Sequence, residues 1–91
     1  MKYKEIINNV RYNTAYATCH KVVEDNMKRQ SICYMTTNRG KDFIYLKNPY
    51  KQPFEVIYDT GEVIIIHSKE RIIPVINGDK SIENFWKENI V

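Results

Sequence analysis

The side chains best suited to chemistry are few. Cys19, His20, Cys33 and His67 are zinc-ligand types, and His67-Ser68-Lys69-Glu70-Arg71 sets a histidine, a carboxylate and a guanidinium within five residues. Structural zinc sites bring their ligands in close pairs such as Cys-x-x-Cys, and no such pair occurs. Cys19 and His20 are adjacent, so on a helix they point to different sides and do not share a metal. No metal or other cofactor is therefore expected. The three glycines, Gly40, Gly61 and Gly78, all lie in predicted turns, and none belongs to a glycine-rich phosphate loop.

A metal-free ribonuclease needs a general acid and base, and a cation for the charge that develops on phosphate. His67, Glu70 and Arg71 have the types for these roles. The segment before them, Phe54-Glu55-Val56-Ile57-Tyr58 followed by Val63-Ile64-Ile65-Ile66-His67, resembles the closing hairpin of small bacterial toxins of the RelE type. That resemblance implies a small RNA-cleaving protein. It spans ten of 91 residues, the element order before it differs, and residues 53–91 are net acidic, unlike the basic late strands of that family.

A second constellation suits binding. Residues 31–47 form a predicted hairpin, with Ser31–Thr37 rich in β-formers, a turn at Asn38-Arg39-Gly40-Lys41, and a return from Phe43 to Lys47. Pairing across a four-residue turn puts Cys33, Met35, Ile44 and Leu46 on one face. Ile32, Tyr34, Thr36, Phe43, Tyr45 and Lys47 fall on the other. The second face is aromatic. Arg39 and Lys41 fringe its tip, Lys47 and Lys51 its base, Tyr50 adjoins it, and Lys28 and Arg29 precede it. Rings on an open sheet face stack single-stranded bases while cations hold the phosphates. The same aromatics also serve as ordinary cross-strand pairs beneath a helix or a second copy.

Charge distribution supports a binding role. Residues 1–52 hold ten Lys/Arg against four Asp/Glu, and residues 53–91 hold four against seven. The halves carry +6 and −3, and a basic half calls for an acidic partner, nucleic acid first. Thirteen Ile but one Leu, with nine Asn, ten Lys and seven Tyr, mark an AT-rich coding sequence. In that character the chain resembles accessory proteins of phages and mobile elements.

The elements that must position these residues follow from periodicity. Tyr3, Ile6, Ile7 and Val10 make one helical stripe. Ala15 or Tyr16, Cys19, Val22, Val23 and Met27 make another in a different phase. The spacing predicts two N-terminal helices or one kinked helix. A second hairpin turns at Asp59-Thr60-Gly61-Glu62, and Val63–Ile66, apolar on both faces, is predicted as a central strand. Arg71–Ile76 is a strand that Pro74 confines to an edge. A last helix over Ile82–Ile90, capped by Asp79 or Ser81, carries Ile82, Phe85, Trp86 and Ile90 on one side.

The expected fold is a single α+β domain over 1–91. An antiparallel sheet of about five strands is expected, with an N-terminal helix or helix pair and a short C-terminal helix. No signal-type apolar run follows Met1-Lys2-Tyr3-Lys4-Glu5 and no segment reaches membrane-span length, which predicts a cytoplasmic protein with reduced thiols. The expected function is that of a non-enzymatic binding protein. It would inhibit or modulate a host protein such as a defence nuclease or toxin, bind single-stranded RNA, or do both. A homodimer is a further expectation.

Overall fold

The computed structural model describes residues 3–26, 30–48, 54–57, 59–66 and 70–90. The fold is α+β, built from antiparallel sheets and one C-terminal helix. Strands β1 (Lys4–Ile7) and β2 (Val10–Asn13) form a two-stranded ribbon. Strands β3 (Thr18–Asp25), β4 (Gln30–Thr36), β5 (Asp42–Lys47) and β8 (Arg71–Pro74) form the main sheet in the order β3-β4-β5-β8. Among the described strands, β6 (Phe54–Ile57) and β7 (Val63–Ile66) pair with each other alone. Helix α1 spans Lys80–Ile90, and no described helix is long and apolar enough to cross a membrane.

The expected N-terminal helices are instead strands. Asn8 and Asn9 both adopt positive φ, 51° and 64°, as the central pair of a type I′ hairpin turn does. Asparagine tolerates this region better than most residues. Thr14 closes the open end of the ribbon: its N–H donates to the Tyr3 carbonyl at 2.9 Å, and its hydroxyl accepts from the Tyr3 N–H at 2.9 Å. Of the second stripe, Cys19, Val22 and Val23 lie in strand β3, whose alternation breaks at a bulge between Cys19 and Lys21. Ala15 and Tyr16 lie in a 3₁₀ turn, and Met27 is outside the described residues.

The main sheet is covered on both faces. The β1–β2 ribbon lies over Cys33, Met35, Phe43, Tyr45 and Ile72, with Tyr12 buried among them. Helix α1 lies over Tyr34 and Ile44 through Trp86, with Ile32, Leu46, Ile73 and Ile82 around them. Aromatic contacts tie the layers. Tyr3 stacks on Tyr45 with centroids 5.5 Å apart, Tyr12 meets Phe43 edge-on at 5.3 Å, and Trp86 meets Tyr34 edge-on at 5.5 Å.

The hairpin register differs from the expected one by a single residue. Thr36 pairs with Asp42, Met35 with Phe43, Tyr34 with Ile44 and Cys33 with Tyr45. The cause is the turn. The Gly40 N–H donates to the Thr37 carbonyl at 3.0 Å, and the Thr37 N–H donates to the Lys41 carbonyl at 2.8 Å. Gly40 sits at φ +80°, so three residues make a turn followed by a left-handed position. A one-residue slip sends every side chain of one strand to the opposite face.

Other expectations also change. Strand β7 is not central: it lies in a two-stranded ribbon with Val63 half exposed. The sheet has four strands rather than five. Strand β8 is an edge, as Pro74 predicts. It is tied to the ribbon by Glu5, whose carboxylate accepts the Ile72 N–H at 3.2 Å. Helix α1 begins at Lys80, two residues before the expected Ile82, directly after the expected cap residue Asp79. The Glu83 N–H donates to the Asp79 carbonyl at 3.0 Å, and the Ser81 hydroxyl donates to the Asp79 carboxylate at 2.8 Å.

Candidate functional site: a basic groove beside the N-terminal ribbon

The aromatic residues expected on an open face are core residues. Tyr34 and Phe43 are 0% exposed and Tyr45 is 3% exposed, so none can meet a base. They do not share a face either. Tyr34 points to helix α1, while Phe43 and Tyr45 point to the ribbon. Lys47 is half-buried, opposite Ser31 on the ribbon side. Lys28, Arg29, Tyr50 and Lys51 lie outside the described residues. From the expected set, Arg39 and Lys41 remain exposed, in the turn between β4 and β5.

These two cations line an open groove of about 560 Å³ between that turn and the ribbon. The ribbon contributes Asn9, Arg11 and Asn13. The 3₁₀ turn at Thr14–Tyr16 contributes Tyr16, and Thr37 and Asn38 complete the turn side. Three cations therefore converge with asparagine amides and no carboxylate among the lining residues. Among the described residues, none of the three cations has an acidic partner within ion-pair distance. Tyr16 is 72% exposed and Ile6 is 67% exposed, so the groove also presents apolar surface.

Local geometry fixes the walls. The Thr37 hydroxyl accepts the backbone N–H of Arg39 at 3.3 Å and of Lys41 at 3.0 Å, which locks the turn that carries both cations. The Asn13 side chain accepts the Ala15 N–H at 2.9 Å and sets the 3₁₀ turn that projects Tyr16. Arg11 stands opposite Ile6 across the ribbon and also lines a second cavity of about 540 Å³ with Lys4, Glu5 and Asn13. The one acid there, Glu5, is held by the Ile72 N–H and by the Tyr3 hydroxyl at 3.1 Å. The cationic surface thus continues around the ribbon from Arg39 to Lys4.

Arginine and lysine side chains stay protonated at neutral pH and give hydrogen bonds and charge. A groove with three such groups and an exposed phenol ring suits an extended anion that carries flat, stackable groups.

The residues considered for acid–base chemistry do not assemble. His67 lies outside the described residues. The Glu70 carboxylate accepts the Tyr45 hydroxyl at 2.7 Å on the ribbon side of the sheet, while Arg71 is in register with Leu46, which packs under helix α1. Glu70 and Arg71 therefore reach opposite faces. Cys19 is exposed, and Cys33 is buried with its thiol pushed up to about 11 by burial. Among the described residues, no three metal-ligating side chains converge.

One constellation has no counterpart in the sequence reading. His20 Nε2 lies 2.6 Å from the Thr36 hydroxyl, which donates to the Asp42 carboxylate at 2.8 Å. With its one proton given to Asp42, Thr36 accepts from His20, so Nε2 carries the hydrogen. The His20 ring meets Trp86 edge-on at 5.9 Å. The bulge turns His20 toward the helix, and simple strand alternation cannot foresee that.

No family model matches this sequence, no curated protein matches it, and no solved structure matches its fold.

Proposed function

We propose that this chain is a small binding protein whose ribbon-side groove takes single-stranded nucleic acid, RNA foremost. The observation that carries the reading is the convergence of Arg11, Arg39 and Lys41 beside exposed Tyr16, with no carboxylate among the lining residues. Cations on a groove track phosphates, and an exposed aromatic ring stacks any base, so the expected binding is sequence-tolerant. Asparagine amides supply additional donors and acceptors for phosphate, sugar or base edges.

In an accessory protein of a phage or mobile element, such a groove would act on a host process that itself uses RNA. Inhibition of a defence nuclease or toxin fits that setting. The protein would cover the RNA or compete for it.

Fluorescence anisotropy with labelled oligo-uridine and oligo-thymidine tests the proposal. Each phosphate held on a single strand contributes about −0.7 to the slope of log affinity against log salt. Three contacts give a slope of about −2, so raising salt from about 50 to about 200 mM weakens binding roughly twentyfold. Replacing Arg11, Arg39 and Lys41 together by Ser should abolish that dependence. Tyr16→Ala should cost roughly five- to 150-fold in affinity, the range for losing one base–aromatic stack worth about 1–3 kcal/mol. Absence of binding at low salt, or binding indifferent to the triple replacement, overturns the proposal.

A further inference from the structure

The two edges of the main sheet differ. Strand β8 is short, ends at Pro74, and has its Ile72 N–H taken by the Glu5 carboxylate. These are standard protections of a sheet edge. Strand β3 is eight residues long, and no described strand pairs with its outer side. Among the described residues, this edge is interrupted by the bulge at His20 and carries the charges of Lys21, Glu24 and Asp25, yet Lys21–Asp25 remains a regular stretch of five residues in continuous register with β4. Val22 within that stretch is 51% exposed.

The order of charges along β3 selects an occupant for this edge. Its first half carries His20 and Lys21, and its second half carries Glu24 and Asp25. Laid antiparallel on itself, the strand sets its basic half against its acidic half. Laid parallel, it sets like against like. A two-fold axis between two antiparallel edge strands runs perpendicular to the sheet, and directly opposed residues then share a face. Centring the axis on Val23, the middle of the regular stretch, satisfies both conditions.

We propose that β3 is a self-pairing edge through which two copies of this chain form one continuous eight-stranded sheet. Val23 lies opposite Val23 of the partner subunit, and Lys21 opposite Asp25 of the partner subunit at both ends of the contact. The pairing adds backbone hydrogen bonds and closes an edge that otherwise invites association. It involves neither the groove nor its cations, so it holds or fails independently of nucleic-acid binding.

Sedimentation velocity from micromolar to millimolar protein should show a monomer–dimer equilibrium. Lys21→Asp places an acid opposite Asp25 of the partner subunit twice per dimer and should weaken association roughly tenfold. The swap Lys21→Asp with Asp25→Lys should restore it. A mixed sample of isotope-labelled and unlabelled protein should give intermolecular contacts between the two Val23 residues, a readout that needs no variant to fold. A monomer at every concentration, a dimer indifferent to Lys21→Asp, or intermolecular contacts that arise from another element would overturn the proposal.

Discussion

Removing the same atom from two buried tyrosines should change stability in opposite directions. Tyr34 is 0% exposed, and among the described residues its hydroxyl finds no hydrogen-bond partner. Its ring is held by Trp86 at 5.5 Å and Phe85 at 6.0 Å, contacts that a phenylalanine keeps. A buried hydroxyl without a partner costs about 1–3 kcal/mol in desolvation. Tyr34→Phe should therefore raise stability by about 1 kcal/mol, or roughly 4–8 °C in Tm for a domain of this size. Tyr45 is as deeply placed on the other face, but its hydroxyl donates to the Glu70 carboxylate at 2.7 Å. Burial and that carboxylate both raise the phenol's pKa and keep it a donor. A hydrogen bond to a charged acceptor is worth about 1.5–3 kcal/mol. Glu70 is partly exposed, so water recovers part of the loss, and Tyr45→Phe should cost about 1.5 kcal/mol. Urea titration followed by the fluorescence of Trp86, the single tryptophan, measures both, and the slope against urea should not change. Loss of stability in Tyr34→Phe, or no loss in Tyr45→Phe, would refute this reasoning. Neither substitution should alter oligonucleotide binding, because both rings are core.

Further expectations rest on single features. Burial raises the Cys33 thiol from its ordinary 9.0 to about 11, and burial also raises the phenols of Tyr12 and Tyr34. The folded state then keeps protons that the unfolded chain releases, so stability should fall as pH climbs from about 9 through about 11, which alkaline urea titrations would show. At neutral pH iodoacetamide should modify exposed Cys19 and leave Cys33 untouched until the protein unfolds, by mass spectrometry. Trp86→Ala should remove about 3–5 kcal/mol, a large share of what a chain of this length possesses, whereas Phe85→Ala, at a site 42% exposed, should cost much less. Asn9→Gly should raise Tm by a few degrees, because glycine meets φ 64° without the penalty asparagine still bears.

The hairpins at β4–β5 and β6–β7, the edge position of β8 and the last helix were legible because turn residues and Pro74 punctuate them. The N-terminal ribbon was not. Its strands are four residues each, too short to display alternation, and Ile6, Ile7 and Val10 fit a helical stripe equally well. Strand β3 hid behind its bulge. Adjacent Val22 and Val23 break the polar–apolar alternation of a half-exposed strand because only Val23 packs, on the helix side, while Val22 points to the opposite face and stays 51% exposed. The face of each aromatic residue depended on whether the β4–β5 turn consumed three residues or four, and the conformation of Gly40 decided that. Arg39 and Lys41 were visible as a basic turn. Arg11 and Tyr16 join them only because the ribbon folds back over the sheet, bringing together residues nearly thirty positions apart.

Backbone chemical-shift mapping with an oligo-uridine ligand tests the groove most directly. Stepwise addition to isotope-labelled protein should move the amides of Asn9–Asn13, Ala15–Ala17 and Thr37–Lys41 together, with one affinity, and the movements should fade as salt is raised. Shifts centred on helix α1 or the β6–β7 ribbon, with those three segments unmoved, would contradict a nucleic-acid groove at this place.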